Sequence, residues 1–252
     1  MGKRGKYKIT GPAPEHKLAA FITSKHLDIL HGIVRSHEYD AIHERRIFFL
    51  CGEYWIVSDV LKAQQSHKYE QLFHLSERAQ ACVGTRNERG MHLVETPQLL
   101  VANSNCITTS LTVDEGFISY TYGEKLQAPI LRFSQTATNA EFHTALYPYP
   151  KRPPSLVFSE LPISLCDGPY VSPEVKAFRL LTEQDEGVET DYIFYTAFQR
   201  ACTYSFGPFQ YSGRYLFLRH DAEGKILRLQ TDESSALTRN GHHLSLMDNV
   251  YH

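Results

Sequence analysis

The sequence lacks the features that mark several large classes of protein. None of its apolar runs is long enough for a membrane-spanning helix, and its N-terminus has no apolar stretch typical of a secretory signal peptide. We therefore predict no membrane span and, by default, a cytoplasmic location. Basic residues are not concentrated either, because 26 Lys and Arg against 28 Asp and Glu give a net charge of −2. This balance argues against binding to nucleic acid.

Metal-binding and disulfide patterns are also missing. The five cysteines are scattered and form no CxxC pair, which argues against a zinc ribbon or a dense disulfide framework. Thirteen histidines are present, but none falls into a spacing typical of metal ligands. We predict neither a metal site nor a cofactor from this pattern.

What the sequence does contain is a series of short strand patterns. Aromatic residues make up 12% of the chain, and apolar segments separated by turn residues recur at intervals of roughly ten residues. A hairpin is predicted over Arg45–Val60 around Gly52-Glu53, and another joins Tyr215–Arg219 to Lys225–Gln230. No helix of ten or more residues is predicted. The expected fold is all-β, an antiparallel β-sandwich-like domain with little helix.

The clearest interruption of these patterns is the segment 147–155, YPYPKRPPS. Its four prolines disfavour a strand within an otherwise β-rich chain. The segment is either a crossing between two sheets or a boundary between two β units. We predict a single domain over 1–252 in which 147–155 is the crossing.

Asp59 stands out because it shares one strand face with Trp55 and Val57. It could be a ligand or a proton acceptor near His43, Arg46 or His74. The alternative is that it caps the turn after the strand or pairs with Arg46, so that a partly buried charge is compensated. The structural role is favoured for Asp59, and His74 is expected to be a structural polar residue as well.

The order of several segments resembles that of heparinase II/III-like polysaccharide lyases. The similar segments are HERRIFFLCGEYWIVSDVLKAQQSHKYEQLFHLS, EFHTALYPYPKRPPSLVF and GRYLFLRHDAEGKILRLQTDESSALTRNGHHL, and the likeness runs from about residue 30 to about residue 245. The resemblance implies the C-terminal β-sandwich region of a longer protein. In that family an N-terminal α/α-toroid precedes the sandwich, and the substrate lies in the groove between them.

The family cleaves acidic polysaccharides by β-elimination, which requires a neutralised uronate carboxylate and a base within hydrogen-bond reach. Its zinc motifs, of the forms HxHxD, DxG and HNT, are not found in this sequence, and the Asn-His pair and Tyr that the family uses lie largely on the toroid. We therefore expect the chain to begin after them, and no metal ligand or catalytic residue is carried over from the resemblance. Family members are often periplasmic.

Candidate site residues come from the chain itself. Tyr39 is the predicted catalytic residue, since a neighbouring arginine such as Arg35, Arg45 or Arg46 would favour its ionised form. Residues suited to stacking on sugars or pairing with carboxylates are predicted ligands. They are Arg46, His43, Tyr147, Tyr149 and Arg152, with Lys151, Tyr120 and Tyr122 as further candidates. The alternative for the Pro-rich group is a rigid linker whose rings cover a sandwich edge.

Two functions follow from these observations. The first is the C-terminal module of a heparinase II/III-like lyase that depends on an α/α-toroid. The toroid is either supplied by a separate chain or lost, and the sequence does not decide whether this chain is itself an enzyme. Its partners would be an acidic polysaccharide and that toroid. The second is a stand-alone carbohydrate-binding or structural β-protein without turnover. A sizeable apolar docking face favours the first function, and a closed polar surface favours the second.

Overall fold

The protein is built almost entirely from strands, which confirms the all-β prediction. A computed structural model describes residues 13–37, 39–79, 83–166, 174–185, 187–197, 202–232 and 236–244. Over this part of the chain the single helical element is a short 3-10 turn at Glu77–Ala79, and no helix is long and apolar enough to cross a membrane. In chain order the strands are β1 Glu15–Ile22, β2 Leu27–Arg35, β3 Ile42–Leu50, β4 Tyr54–His74, β5 Gly84–Glu88, β6 Met91–Thr96, β7 Leu99–Asn103, β8 Ser110–Ile118, β9 Leu126–Pro148, β10 Ser155–Glu160, β11 Ile163–Leu165, β12 Val175–Gln184, β13 Gly187–Thr196, β14 Tyr204–Phe206, β15 Phe209–Ser212, β16 Tyr215–Asp221, β17 Ile226–Thr231, β18 Ala236–Arg239 and β19 His242–His243.

The strands form three antiparallel sheets. The first has the order β1-β2-β3-β4-β9-β7-β6-β5, with β8 paired to β9. The second has the order β10-β12-β13-β16-β17, and the third has the order β11-β14-β15-β18-β19. Every strand pair is antiparallel, as expected where short turns connect neighbouring strands.

The largest core fills the space between the first and second sheets. Phe48 and Ile56 of the first sheet face Phe178, Ile193 and Phe217 of the second, and all five are fully buried. We call the side of the first sheet that carries Phe48 and Ile56 its inner face. The opposite face of the second sheet packs on the third sheet through a second aromatic cluster. Successive side chains of a strand point to opposite faces, and β12, β13 and β16 are apolar on both faces, so these three strands contribute to both cores.

The predicted hairpin at Arg45–Val60 is present, but its turn and its second strand are longer than expected. The turn spans Cys51, Gly52 and Glu53, with positive φ angles of 54° and 73° at the first two. Strand β4 then continues for 21 residues, and its second half contains the alternating segment KYEQLFH. A register shift between Lys62 and His67 bends β4 against β9. Such an irregularity bends the strand, so that its two halves can pack in different layers.

The bend covers part of the outer face of the first sheet. Tyr69 on β4 and Phe133 on β9 belong to the distal halves of these strands, and they pack on Val101 and Phe142. Val101 and Phe142 lie on the outer face, because their neighbours Ala102 and Ala145 belong to the inner core. The outer face is therefore buried over β7 and β9 and remains open over β1, β2 and β3.

The Pro-rich segment 147–155 connects two sheets. It runs from the end of β9 in the first sheet to the start of β10 in the second. The backbone N–H of Tyr149 donates to the carbonyl oxygen of Gln98 at 3.0 Å, which anchors the segment against the turn before β7. The single-domain organisation stays a prediction. The hairpin of β16 and β17 is found where it was predicted.

Candidate functional site

The open part of the first sheet presents apolar side chains to the surface. We call this region the open apolar face, and it comprises Leu18, Phe21, Leu30, Ile47, Phe49 and Trp55. Phe21 pairs in register with Leu30, and Leu30 with Ile47, so three neighbouring strands contribute adjacent residues. Phe21 is 67% exposed, and the rings of Phe49 and Trp55 stack with centroids 4.7 Å apart. A contiguous patch of this kind marks an interaction surface more often than an isolated exposed residue does.

Asp59 lies at the edge of this face, where the sheet becomes covered. Its carboxylate accepts two hydrogen bonds from Arg45, from Nε to Oδ1 at 2.6 Å and from Nη2 to Oδ2 at 2.7 Å. His43 Nε2 lies 2.8 Å from Oδ1, and Gln71 Nε2 donates to Oδ2 at 2.7 Å. Arg45 is the register partner of Asp59 on the neighbouring strand. A cross-strand bidentate pair of this kind is short and specific in direction.

These contacts decide the charge state of Asp59. Burial alone would raise its pKa, but hydrogen bonds from Arg45 and His43 outweigh burial and hold the pKa at about 2. Asp59 is therefore ionised at neutral pH although its side chain is only 3% exposed. The structural role favoured from the sequence agrees with this geometry. The predicted partner was wrong, because Asp59 pairs with Arg45 and not with Arg46.

A pocket of about 330 Å³ opens beside Asp59. Its volume lies at the lower end of ligand pockets, which range over about 300–1,000 Å³. Two imidazoles in its wall are each held by a carboxylate, His43 by Asp59 and His67 by Asp40. The residues lining the pocket are Val34, Ser36, Tyr39, Ala41, His43, Leu61, His67, Lys68 and Tyr69.

The second carboxylate is fixed by the backbone as well. Asp40 accepts hydrogen bonds from the N–H groups of Gln64 and Gln65 at 2.8 and 3.0 Å. The bond from the Gln64 backbone, with that from His67, lowers the pKa of Asp40. A carboxylate that accepts a hydrogen bond from one ring nitrogen leaves the other nitrogen of a neutral imidazole as an acceptor. The pocket therefore presents two oriented imidazoles beside the exposed phenol of Tyr39, a set of groups able to accept and donate protons.

The structure brings two of the predicted site residues together and separates the others. Tyr39 and His43 line the same pocket. Arg46 is fully buried on the inner face, where its Nη2 donates to Glu44 at 2.8 Å, so the surface ligand role predicted for Arg46 is wrong. Arg45 occupies the exposed position instead. His74 is exposed at the last position of β4, and its role as a structural polar residue stays a prediction.

The aromatic residues of the Pro-rich segment lie in a different place. Tyr149 is largely buried, and its hydroxyl donates to the carbonyl oxygen of Thr96 at 2.5 Å. Tyr147 is half-buried beside the exposed Arg152, in a separate cavity of about 860 Å³. That cavity is also lined by three carboxylates, at Glu53, Glu183 and Asp185. Lys151 and Arg152 line it too, so this cavity mixes positive and negative side chains.

Two other predicted aromatics are exposed. Tyr120 and Tyr122 lie in the turn after β8, and the hydroxyl of Tyr120 donates to Glu77 at 2.7 Å. Gln71, Asp40 and His67 were missed from the sequence. Gln71 shares a strand face with the apolar residues Tyr69 and Phe73, which signals a buried polar residue but does not identify its partner.

The architecture is shared with known lyases. A solved structure of a mutant heparan sulfate lyase HepC from Pedobacter heparinus superposes with a TM-score of 0.59 at 18% identity, over 74% of this chain and 28% of that one. A heparinase III gene product with methylated lysines gives a TM-score of 0.57 at 12% identity, over 72% of this chain and 27% of that one. The chain thus spans little more than a quarter of the length of these enzymes. At such identities the likeness shows the fold class alone, a β-sandwich of the type that these lyases contain.

The family follows from the sequence match. The family model described as heparinase II/III-like, C-terminal, matches residues 22–151, just over half of the chain. The protein therefore belongs to the heparinase II/III-like family and corresponds to its C-terminal region. This confirms the resemblance noted from the sequence. A search of curated proteins found no match.

Proposed function

We propose that this protein is the β-sandwich module of a polysaccharide lyase and forms one wall of a groove for an acidic, uronate-containing glycan. The observation that carries this proposal is the position of the pocket beside the open apolar face. A second unit that covers the apolar face would leave the pocket at the border between the two units. An α/α-toroid, the unit that accompanies the sandwich in the family, is the proposed partner, on the same or a separate chain.

The pocket residues can be assigned roles in a β-elimination. His43 is the proton acceptor, because Asp59 fixes its Nε2 and leaves Nδ1 free to face the pocket. Arg45 is 45% exposed beside the pocket, so its guanidinium can also pair with a uronate carboxylate and neutralise it. Tyr39, 61% exposed, is the proton donor to the leaving oxygen. Neutralisation and proton abstraction are the two needs of this reaction.

The open apolar face favours this function over a stand-alone carbohydrate-binding protein. A binding module that works alone would leave Phe21, Leu30 and Trp55 in contact with water. Monomeric soluble proteins rarely expose large contiguous apolar patches. The face is accounted for when a second unit buries it.

Measuring glycan binding by the chain tests the proposal that it forms one wall of the groove. Calorimetric titration with heparan sulfate and alginate oligosaccharides should show binding, whereas a neutral glucan should not bind. Substituting His43→Gln or Tyr39→Phe should weaken binding about tenfold, the loss expected for one hydrogen bond to a charged group. The matched control His16→Gln, at an exposed position outside the pocket, should leave the affinity unchanged. Equal affinity for the neutral glucan would contradict the proposal.

Turnover tests the dependence on a second unit. Ultraviolet absorbance of the unsaturated uronyl product should stay flat when the chain is incubated alone with the same oligosaccharides. A rise in absorbance that is lost in His43→Gln would show that the pocket is sufficient for catalysis, and the second unit would then be unnecessary. A rise that persists in His43→Gln would exclude His43 as the base.

A further inference from the structure

A second cluster of ionisable side chains lies between the first and second sheets, on the inner face. Glu141 and His143 are on β9, Glu160 ends β10, and Lys176 is on β12. His143 and Lys176 have side chains only 3% and 4% exposed, while Glu141 and Glu160 are about one-third exposed at the rim. The cluster is therefore a buried polar site with one open side.

The distances in this cluster match those of a tetrahedral metal site. His143 Nε2 lies 3.2 Å from Glu141 Oε2 and 3.3 Å from Glu160 Oε2, and one ligand atom from each of the three residues lies within 4.8 Å of the others. Ligands placed 2.0–2.1 Å from zinc in a tetrahedron are about 3.3 Å apart. One imidazole and two carboxylates are also a ligand set that suits zinc, whereas magnesium prefers six oxygens.

The surroundings of His143 fix its orientation in the way that metal-binding histidines are usually fixed. Its Nδ1 lies 3.0 Å from the hydroxyl oxygen of Ser58, a fully buried residue, and Phe178 packs against the ring at a centroid distance of 5.1 Å. With Nδ1–H donated to Ser58, the Nε2 lone pair faces two carboxylate oxygens. Either a proton on Nε2 or a metal cation in its place satisfies these oxygens, so the site as folded can hold a cation at this position.

Lys176 supplies part of that positive charge. Its Nζ donates to Glu141 Oε2 at 2.6 Å and to Glu160 Oε1 at 2.9 Å. We propose that Glu141, His143 and Glu160 bind a divalent cation of the zinc class, for which the Lys176 ammonium is the built-in competitor. A bound ion would take Glu141 Oε2 from Lys176, while Lys176 would keep Glu160 Oε1. The ion would join β9 of the first sheet to β10 of the second and hold the sandwich closed.

Cobalt titration of the untagged protein tests this site, since tetrahedral Co²⁺ has a visible spectrum. We expect one equivalent of Co²⁺ to bind with a tetrahedral spectrum and to be displaced by Zn²⁺. Zn²⁺ should raise the melting temperature by several degrees, and Mg²⁺ should not. Glu160→Gln should abolish binding, and Lys176→Met should strengthen it about tenfold by removing a like charge next to the ion. His16→Gln serves as the control for surface histidines.

The variants also define what would overturn the proposal. Glu160 is 38% exposed, so Glu160→Gln is expected to fold even if substitutions of buried His143 do not. Circular dichroism in chelator confirms the fold of each variant. Failure of the wild type to bind Co²⁺ at millimolar concentration, with binding only in Lys176→Met, would show that Lys176 is the permanent cation. Binding that persists in Glu160→Gln, or that His16→Gln removes, would place the ion elsewhere.

Discussion

Two pairs of consecutive residues on neighbouring strands build two different polar sites. Arg45 and Asp59 point to the outer face, where they form a bidentate pair, while Arg46 and Ser58 are register partners on the inner face. Asp59 has three side chains donating to it, and its partner Arg45 is 45% exposed. The Arg45 guanidinium therefore keeps access to water, so the loss of its partner lowers the free energy of unfolding by a limited amount.

The inner site depends more strongly on each partner. Arg46 is fully buried, and its Nη2 donates to Glu44 at 2.8 Å. Among the described residues no hydrogen-bond partner is found for its Nε and Nη1. Burial would raise the pKa of Glu44, but His31, Arg46 and Lys62 outweigh burial and hold it at about 2. The comparison shows that a charged pair buried between two sheets tolerates substitution less well than a pair on the partly exposed outer face.

The largest effect is expected from removing the inner carboxylate. Glu44→Leu would leave the Arg46 guanidinium buried without its counterion, at a cost of about 3–5 kcal/mol in the free energy of unfolding. Urea unfolding followed by fluorescence measures this loss. The double variant Glu44→Leu/Arg46→Met should recover most of it, since an apolar pair can replace a buried ion pair. No recovery would mean that the cost lies in packing and not in the uncompensated charge.

A smaller loss is expected at the outer site. Asp59→Ala frees Arg45 to reach water and leaves mainly the Gln71 amide unpaired, so we expect a loss of about 2 kcal/mol by the same measurement. Glu223→Ala, at an exposed position, is the control and should change little. A loss at Asp59 as large as that at Glu44 would remove the distinction between the two faces.

Acid titrates both Glu44 and Asp59, and the variant Asp59→Asn isolates the contribution of the outer carboxylate. The pKa of Asp59 is about 2 in the folded state against an ordinary value of 3.8, so its contribution is present above pH 4 and is lost as the pH falls towards 2. This contribution is about 2 kcal/mol, from about 1.4 kcal/mol per pKa unit. Unfolding free energies at several pH values should fall less steeply in Asp59→Asn than in the wild type. Parallel curves for the two proteins would show that the pKa of Asp59 is not lowered in the folded state.

The smallest effect on stability is expected at the open apolar face. Phe21 is 67% exposed at the sheet edge, so Phe21→Ser should cost less than about 1 kcal/mol. Binding of a hydrophobic dye to the native protein should nevertheless decrease, because the face loses part of its apolar surface. Leu227→Ser, at another exposed apolar position, is the control. Equal dye loss in both variants would show that the face is not a distinct surface.

Much of the fold could be predicted from local patterns. The all-β class, the hairpins at β3–β4 and β16–β17 and the crossing at 147–155 rest on strand alternation and turn residues, which act over a few neighbours. The 21-residue length of β4 could not be predicted, because its bend depends on pairing with β9 about 70–80 residues away. The pairing of Asp59 with Arg45 instead of Arg46 depends on strand register, and a shift of one residue exchanges the faces.

The sequence by itself determined that apolar and polar residues alternate along strands, that the chain turns where glycine and proline occur, and that it belongs to the heparinase II/III-like family. Tertiary structure decided which charges meet. Glu141, His143, Glu160 and Lys176 come from three strands, and Asp40 and His67 are joined only when β3 and β4 pair. Side-chain contacts of this kind depend on sheet packing and register over long sequence separations. The strand and turn propensities of neighbouring residues therefore do not predict these contacts.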